Sequence, residues 1–541
     1  MEQARMNVRQ LLESRVRQHP NKAFLIFEDQ VISYADFDTT VNRVARGFLR
    51  LGIGAGDRVC VMLANCPEFL YAWFGLMKIG AILVPINSAF RYTETQYIVQ
   101  HAEAAAIVVD AVTGPVVADI AGHLSCACQR ISLATTPAVG DIAWSDVLAG
   151  PSTSAPMVEV DANQVASLMY TSGTTGQPKG VMQPHRSYVI AGESFAMRAS
   201  LRADDRVLTV LPLFHANAQF YSTMGTLVAG ATLILLRRFS ASHFWEHVQH
   251  YDATQFNFIG AMARMLYNQP PTPLDAAHRV RIACGAPVPV EIADDFERRF
   301  HLTVLETYGL SECPMGTSNL ATMRKRGSMG KPSQHPDPVL YTRVRLVDDG
   351  ERDVPVGQVG EVLLHSPALM IGYYRDPERT ADAMRDGWFH TGDYARQDED
   401  GFFFFVDRKK DIIRRRGENI ASVEIERVLN DHPAVAESAV IPVPAALSED
   451  EIHAYVVLRP GTQTTAEELQ AWCAARLARF KIVCAFVTPS PKPRPNGWKN
   501  TSCARSMPVA CRADTVPVGH TSGTPVVAQY LWARSSTLNV A

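Results

Sequence analysis

Short apolar runs rich in β-branched residues alternate with helical patterns along most of this 541-residue chain. That rhythm constrains the fold more than any other feature. Residues 59–63, 82–85, 106–109, 206–211, 232–236 and 254–258 read as buried strands. Residues 34–51 and 69–79 carry the spacing of the helices between them. Such alternation points to an α/β class fold with helices packed on β-sheets. The length exceeds one compact core, so at least two domains are expected. Residues 359–365 and 401–406 read as a small β region. Beyond residue 411, the segments 423–429, 435–443, 452–458 and 466–478 suggest a small α+β lobe. Charged residues break the apolar pattern near 407–411, which gives expected domains of 1–407 and 411–482.

Composition excludes several function classes. The net charge is −3, with no basic stripe for nucleic acid and no polybasic segment for an anionic membrane. Ten cysteines are scattered without a C-x-x-C pair, which favours free thiols in a reducing cytoplasm over zinc or disulfides. The start of the chain lacks the apolar core of a signal peptide, so the expected location is cytoplasmic. The most apolar stretch, 69–86, carries Lys78, Gly75 and Gly80 and reads as a core helix-turn-strand, not a membrane span. Homo-oligomerisation stays open.

Residues 170–180 read Tyr-Thr-Ser-Gly-Thr-Thr-Gly-Gln-Pro-Lys-Gly, directly after the apolar run 165–169. Five hydroxyl side chains, three glycines and Lys179 fall within eleven residues. Glycines let a backbone wrap an anion with its N–H groups inward, and the hydroxyls and lysine add donors and charge. The spacing is not that of a P-loop, because Gly173 and Gly176 are too close and Gly180 follows Lys179 in place of a hydroxyl residue. A solvated Ser/Thr/Gly loop is the bland alternative, yet it has no need of so many donors beside a strand.

This run resembles the phosphate loop of the adenylate-forming superfamily of acyl-CoA synthetases, luciferases and adenylation domains. Further segments resemble that family in the same order: Tyr308-Gly-Leu-Ser-Glu312, Gly387-Trp-Phe-His-Thr-Gly-Asp393, Asp407-Arg-Lys-Lys-Asp411 and Arg416-Gly-Glu-Asn-Ile420. The resemblance covers roughly residues 7–482 and is most similar in wording to crotonobetaine/carnitine-type CoA ligases, with short- or medium-chain fatty acids and aryl acids still open as substrates.

The resemblance implies ATP, Mg²⁺ and coenzyme A as cofactors and a small carboxylic acid as substrate. Thr171, Ser172, Gly173, Thr174, Thr175, Gly176 and Lys179 would hold the β- and γ-phosphates. Glu312 would ligate the metal, with Ser311 near the α-phosphate. Tyr308 would stack on adenine above Gly285, Ala286 and Pro287, and Asp393 and Arg408 would take the ribose hydroxyls. His215 would sit beside the acyl carboxylate. Asn217, Gln219, Phe220, Phe258, Ile259, Gly260 and Gly309 would line the acyl pocket, and the two amides hint at a polar acyl group. Lys410 would be the hinge of a small mobile lobe, and Gly417 would lie in the loop that reaches the thiol. Taken singly, each has a plainer role. Glu312 after Ser311 suits a helix N-terminus, Asp393 a turn, Tyr308 the core, and His215 a satisfied loop.

The pattern breaks near the end. The family's small lobe closes on a motif of the form Pro-x-Thr-x-x-Gly-Lys-Val/Ile, whose lysine bridges the acyl carboxylate and the α-phosphate. This chain follows the family through 478–482 and then departs: from Cys484 onward Asp514 is the only acidic residue. A reading-frame shift near 483–487 is the favoured explanation, since codon choice over 487–504 permits the string DALPETPSKRVEKHELR. The expected function is an ATP-dependent acid–thiol ligase making an acyl-adenylate and then an acyl-CoA. Two alternatives are an enzyme that loads a carrier-protein thiol and a non-catalytic nucleotide binder disabled by its tail.

Overall fold

The computed structural model describes residues 6–124, 127–150, 152–171, 178–288, 290–408, 413–415, 418–444, 450–477, 481, 483 and 485–487. The chain divides into two compact units between Phe405 and Val406. Both are mixed α/β, the first much the larger.

Two sheets organise the large unit. An eight-stranded sheet runs in the order Gly372–Tyr373, Lys179–Pro184, Val165–Thr171, Ile82–Pro85, Arg58–Met62, Ala106–Val109, Gln129–Ser132 and Ile142–Ala143. Its strands from Val165–Thr171 onward are parallel to their neighbours, whereas Lys179–Pro184 and Gly372–Tyr373 are added antiparallel at the edge. The second sheet has seven strands in the order Thr303–Leu305, Ile282–Ala286, Gln255–Ile259, Arg206–Thr209, Thr232–Leu235, Ala23–Phe27 and Gln30–Ser33. One continuous buried core takes side chains from both sheets, from the helices Tyr34–Arg50 and Pro67–Ile79, and from His185–Arg198. A smaller antiparallel sheet, containing Arg343–Val347, Val359–His365 and Trp388–Gln397, forms the expected β region.

The most apolar stretch is a helix-turn-strand, as its composition implies. The helix Pro67–Ile79 is buried almost throughout and ends at Gly80, whose φ of +69° is the left-handed cap that glycine adopts without strain. The strand Ile82–Pro85 follows at once. Lys78 is fully buried, and the structure satisfies its charge: Nζ lies 2.6 Å from Asp38 and donates to Asn42 at 2.7 Å. No helix among the described residues is long and apolar enough to cross a membrane.

The small unit has its own core, built from Ile413, Ile425, Leu429, Val440, Ile452, Val456 and Leu469. Helix Ser422–Asn430 packs on the antiparallel pair Val435–Pro444 and Asp450–Leu458, and Ala485–Val487 adds a parallel third strand. Helix Ala466–Ala474 opens on a reciprocal cap between Thr465 and Glu468 and stops short of the expected residue 478. Before these elements, the buried carboxylate of Asp407 accepts from both the backbone N–H and the hydroxyl of Ser422, at 2.6 and 2.9 Å.

Candidate active site

The strands Val165–Thr171 and Lys179–Pro184 pair antiparallel, with Thr171 opposite Lys179 and Tyr170 opposite Gly180. The glycine- and hydroxyl-rich run is thus the connection of a hairpin. Its members Ser172, Gly173, Thr174, Thr175 and Gly176 lie outside the described residues, as do Lys410 and Gly417. Thr171 and Lys179 stand at the hairpin's neck. The Thr171 hydroxyl is buried with no hydrogen-bond partner among the described residues. Across from it, Nζ of Lys179 lies 2.9 Å from a carboxylate oxygen of Glu312 and 2.6 Å from the hydroxyl of Tyr373. That hydroxyl in turn donates to the same Glu312 oxygen at 2.9 Å. Burial and the Glu312 charge push the Tyr373 hydroxyl far above its ordinary pKa, so it stays a donor.

Glu312 is itself buried. No helix starts at Ser311, so the capping role that sequence alone would suggest for Glu312 is not the one it plays. The residues between Leu310 and Thr317 form a loop, held where the Glu312 carbonyl accepts from Met370 N–H at 2.8 Å and the Ser311 carbonyl accepts from the Gln183 amide. Tyr373 was not among the sequence candidates. It arrives because Gly372–Tyr373 pairs with Lys179–Pro184, Tyr373 opposite Val181.

A second cluster joins three distant segments. The Tyr308 hydroxyl donates to Asp393 at 2.7 Å. Burial and that carboxylate raise the phenol well above its usual pKa. Asp393 is buried in the strand Trp388–Gln397, just after Gly392 with its φ of +70°, and its N–H donates to the Thr391 hydroxyl. Gly285 and Ala286 end the strand Ile282–Ala286, with Pro287 directly after it, and the strand pairs with Gln255–Ile259 so that Phe258 faces Gly285. The backbones approach closely here: a Cβ on Gly285 would fall 2.2 Å from the Phe258 carbonyl oxygen, and one on Gly260 would fall 2.5 Å from that of Pro287.

The proposed acyl-pocket residues separate into two kinds. Asn217 is partly accessible; its Oδ1 accepts from Asn257 at 3.1 Å, which leaves its own N–H₂ unspent among the described residues. Gln219, by contrast, is fully buried and used at both ends, accepting from Tyr188 at 2.7 Å and donating to the Leu213 carbonyl at 2.7 Å. Phe220 is fully buried and stacks on Tyr188, with centroids 4.3 Å apart. The hint of a polar acyl group drawn from two amides therefore keeps only its Asn217 half. Phe258 is buried, and Gly309 is pressed against Tyr221, whose hydroxyl would lie 2.6 Å from a Cβ there. His215 is solvent-exposed beside Phe214, with ring centroids 4.5 Å apart. Arg408 belongs to the small unit, next to Asp407.

Residues 12–374 match the AMP-binding enzyme family, and residues 424–496 match the AMP-binding enzyme C-terminal domain. The chain belongs to this family. The second match runs past residue 482, where the motif reading ends the resemblance, and takes in the strand Ala485–Val487. The enzyme is 35% identical over 494 residues to a crotonobetaine/carnitine–CoA ligase of Salmonella typhi, covering 88% of this chain and 94% of the relative. Among solved structures it resembles ATP-bound MatB from Rhodopseudomonas palustris, with a TM-score of 0.79 and 27% identity over 90% of this chain and 96% of that one. A Mycobacterium tuberculosis fatty acyl CoA synthetase matches with a TM-score of 0.72 and 29% identity over 90% and 95%.

Proposed function

We propose that this enzyme is an AMP-forming acid–CoA ligase. It couples a carboxylic acid to ATP as an acyl-adenylate and then passes the acyl group to coenzyme A, releasing pyrophosphate and AMP. A carboxylate is a poor electrophile, because its charge repels nucleophiles and oxide cannot leave. Attack of the acid oxygen on the α-phosphorus expels pyrophosphate, and the mixed anhydride so formed carries AMP as a leaving group that a thiol can displace. Both steps build charge that fixed donors in a cleft stabilise.

The observation that carries this reading is the Lys179–Tyr373–Glu312 group at the neck of the hairpin, where a half-buried ammonium meets a buried carboxylate and phenol. Thr171, Lys179 and residues 172–176 would receive the β- and γ-phosphates, and Ser311 would lie near the α-phosphate. Glu312 suits Mg²⁺, which is commonly held by one or two carboxylates plus substrate phosphates. The ion would shield charge on the triphosphate. Tyr308 with residues 285–287 would take the adenine, and Asp393 with Arg408 the ribose; the 2.7 Å bond between Tyr308 and Asp393 suits two groups that are neighbours in one nucleotide. His215 would approach the acid carboxylate. Asn217, Phe258, Gly260 and Gly309 would line the acyl pocket. Residues 1–407 would act as the nucleotide-binding domain and 411–482 as a lobe turning about Lys410, bringing the loop that includes Gly417 to the thiol. The six described cysteines form no disulfide among the described residues, in keeping with the reducing cytoplasm expected for the chain.

A second reading has its own observation. The lysine-bearing motif is missing from the sequence after residue 484. Losing such a preorganised charge costs ~10²–10³ in rate. If the tail is genuine, adenylation is crippled, and thioester formation from supplied acyl-adenylate survives. ATP–pyrophosphate exchange with a panel of carboxylic acids tests the first half-reaction. Exchange supports the ligase; a folded chain that binds ATP but exchanges with no acid is a nucleotide binder. Comparing CoA with a phosphopantetheinyl carrier protein as acceptor then identifies the thiol. Resequencing the gene across codons 480–505 decides whether a shifted frame hides the lysine.

A further inference from the structure

Two side chains of the helix Tyr92–His101 reach opposite sides of the hairpin neck. Tyr97 donates its hydroxyl to the carbonyl of Pro178 at 2.9 Å, on the side where the loop ends. Nδ1 of His101 lies 2.7 Å from the hydroxyl of Tyr170, on the side where it begins. Residues four apart on a helix share one face, and these two rings stack with centroids 5.3 Å apart and planes at 22°. The two contacts are therefore one rigid unit.

The protonation states suit the contact. Burial, with Arg375 nearby, holds His101 below its ordinary pKa, and burial pushes the Tyr170 hydroxyl up. At pH 7 the neutral Nδ1 accepts a hydrogen bond from the Tyr170 hydroxyl. The segment after Tyr373 closes the other side. Tyr374 N–H donates to the Gly180 carbonyl at 2.8 Å, its ring meets His101 edge-on at 5.8 Å, and Arg375 pairs with Glu103 at 2.5 Å. Ring packing alone would account for the stacking. It gives no reason for both polar atoms to end on the two sides of a single hairpin neck.

We propose that Tyr97 and His101 are positioning residues that brace the neck of the phosphate loop and so set the affinity for the β- and γ-phosphates without touching the nucleotide. This rests on the ATP-binding reading above. The expected signature is differential, because AMP lacks the two phosphates that the loop would hold.

Calorimetric titration of the full chain with Mg·ATP and with AMP tests it without requiring turnover. Tyr97→Phe keeps the ring and loses the donor. His101→Phe keeps the stack and loses the acceptor, and His101→Asn restores an acceptor near the Nδ1 position. Tyr97→Phe and His101→Phe should each raise the Kd for ATP about tenfold while that for AMP stays within about twofold, and His101→Asn should recover most of the loss. Unchanged melting temperatures show that the variants fold. ATP affinity that does not change, or ATP and AMP affinities that fall together, overturns the bracing role. A wild-type chain that binds neither nucleotide removes the ATP reading and the brace with it.

Discussion

The proposed phosphate end and the proposed acyl end of the large unit use polar groups in opposite ways. At the first, Lys179, Tyr373 and Glu312 are bonded to one another, and on the proposed reading these bonds would be exchanged for ones to a ligand. At the acyl end, Gln219 is committed to Tyr188 and Leu213, and Asn257 to Asn217 and Ser222, so most polar groups face inward as scaffold. A polar residue near a cleft is thus a weak sign of substrate contact until its own partners are counted.

The largest break in that contrast should come from Glu312→Gln. It removes the carboxylate opposite Lys179 and should lower ATP–pyrophosphate exchange by roughly 10²–10³ with little change in melting temperature. Tyr373→Phe should do less. It deletes one hydroxyl between two charged groups and should raise the KM for ATP about tenfold, leaving the KM for the acid unchanged. Gln219→Leu should behave in the reverse sense, because it strands the Leu213 carbonyl. A stability loss of about 1–3 kcal/mol, read from denaturant unfolding, should accompany an unaltered KM for ATP. Asn217→Leu should leave stability nearly intact and shift preference among acids a few-fold toward apolar ones. An Asn217→Leu variant with unchanged acid preference would remove that residue from the pocket.

The smallest effect concerns the frame both ends share. His185 opens the helix that follows Lys179–Pro184; it is fully buried, and burial pushes its imidazole down to about 4. The unfolded chain takes up this proton as pH falls through about 6.5, the folded chain only near 4. Stability contributed by the neutral ring is therefore full above 6.5 and lost progressively on acidification toward 4. Unfolding midpoints at pH 7.5 and 5.0 should differ in that direction, and His185→Leu should shrink the difference.

Much of this was legible in the sequence because local pattern and tertiary role coincide. The run 82–85 is the strand Ile82–Pro85, and 34–51 is the helix Tyr34–Arg50. The run 206–211 overshoots the strand Arg206–Thr209, because Val210 and Leu211 stay buried while the chain leaves the sheet. Tyr373 escaped notice for a different reason. It stands 194 residues from Lys179, and only an edge strand added antiparallel brings the two together. The bonding of Gln219 was not legible because its partner hydroxyl comes from Tyr188 on another helix, and residue type alone cannot reveal an amide already satisfied. Glu312 reads as a helix cap in isolation, and only the absence of a helix after Ser311 leaves it for chemistry.

The resting contact between Lys179 and Glu312 has a consequence for ligand discrimination. Each is the other's counter-ion, so a lone anion such as chloride or inorganic phosphate can reach the ammonium only by stranding a buried carboxylate. A lone divalent cation meets the mirror-image difficulty. On the proposed reading, a triphosphate arriving with its metal would satisfy both partners in one exchange. Nucleotide and metal should therefore bind synergistically, each tightening the other, and the site should be nearly blind to simple salts.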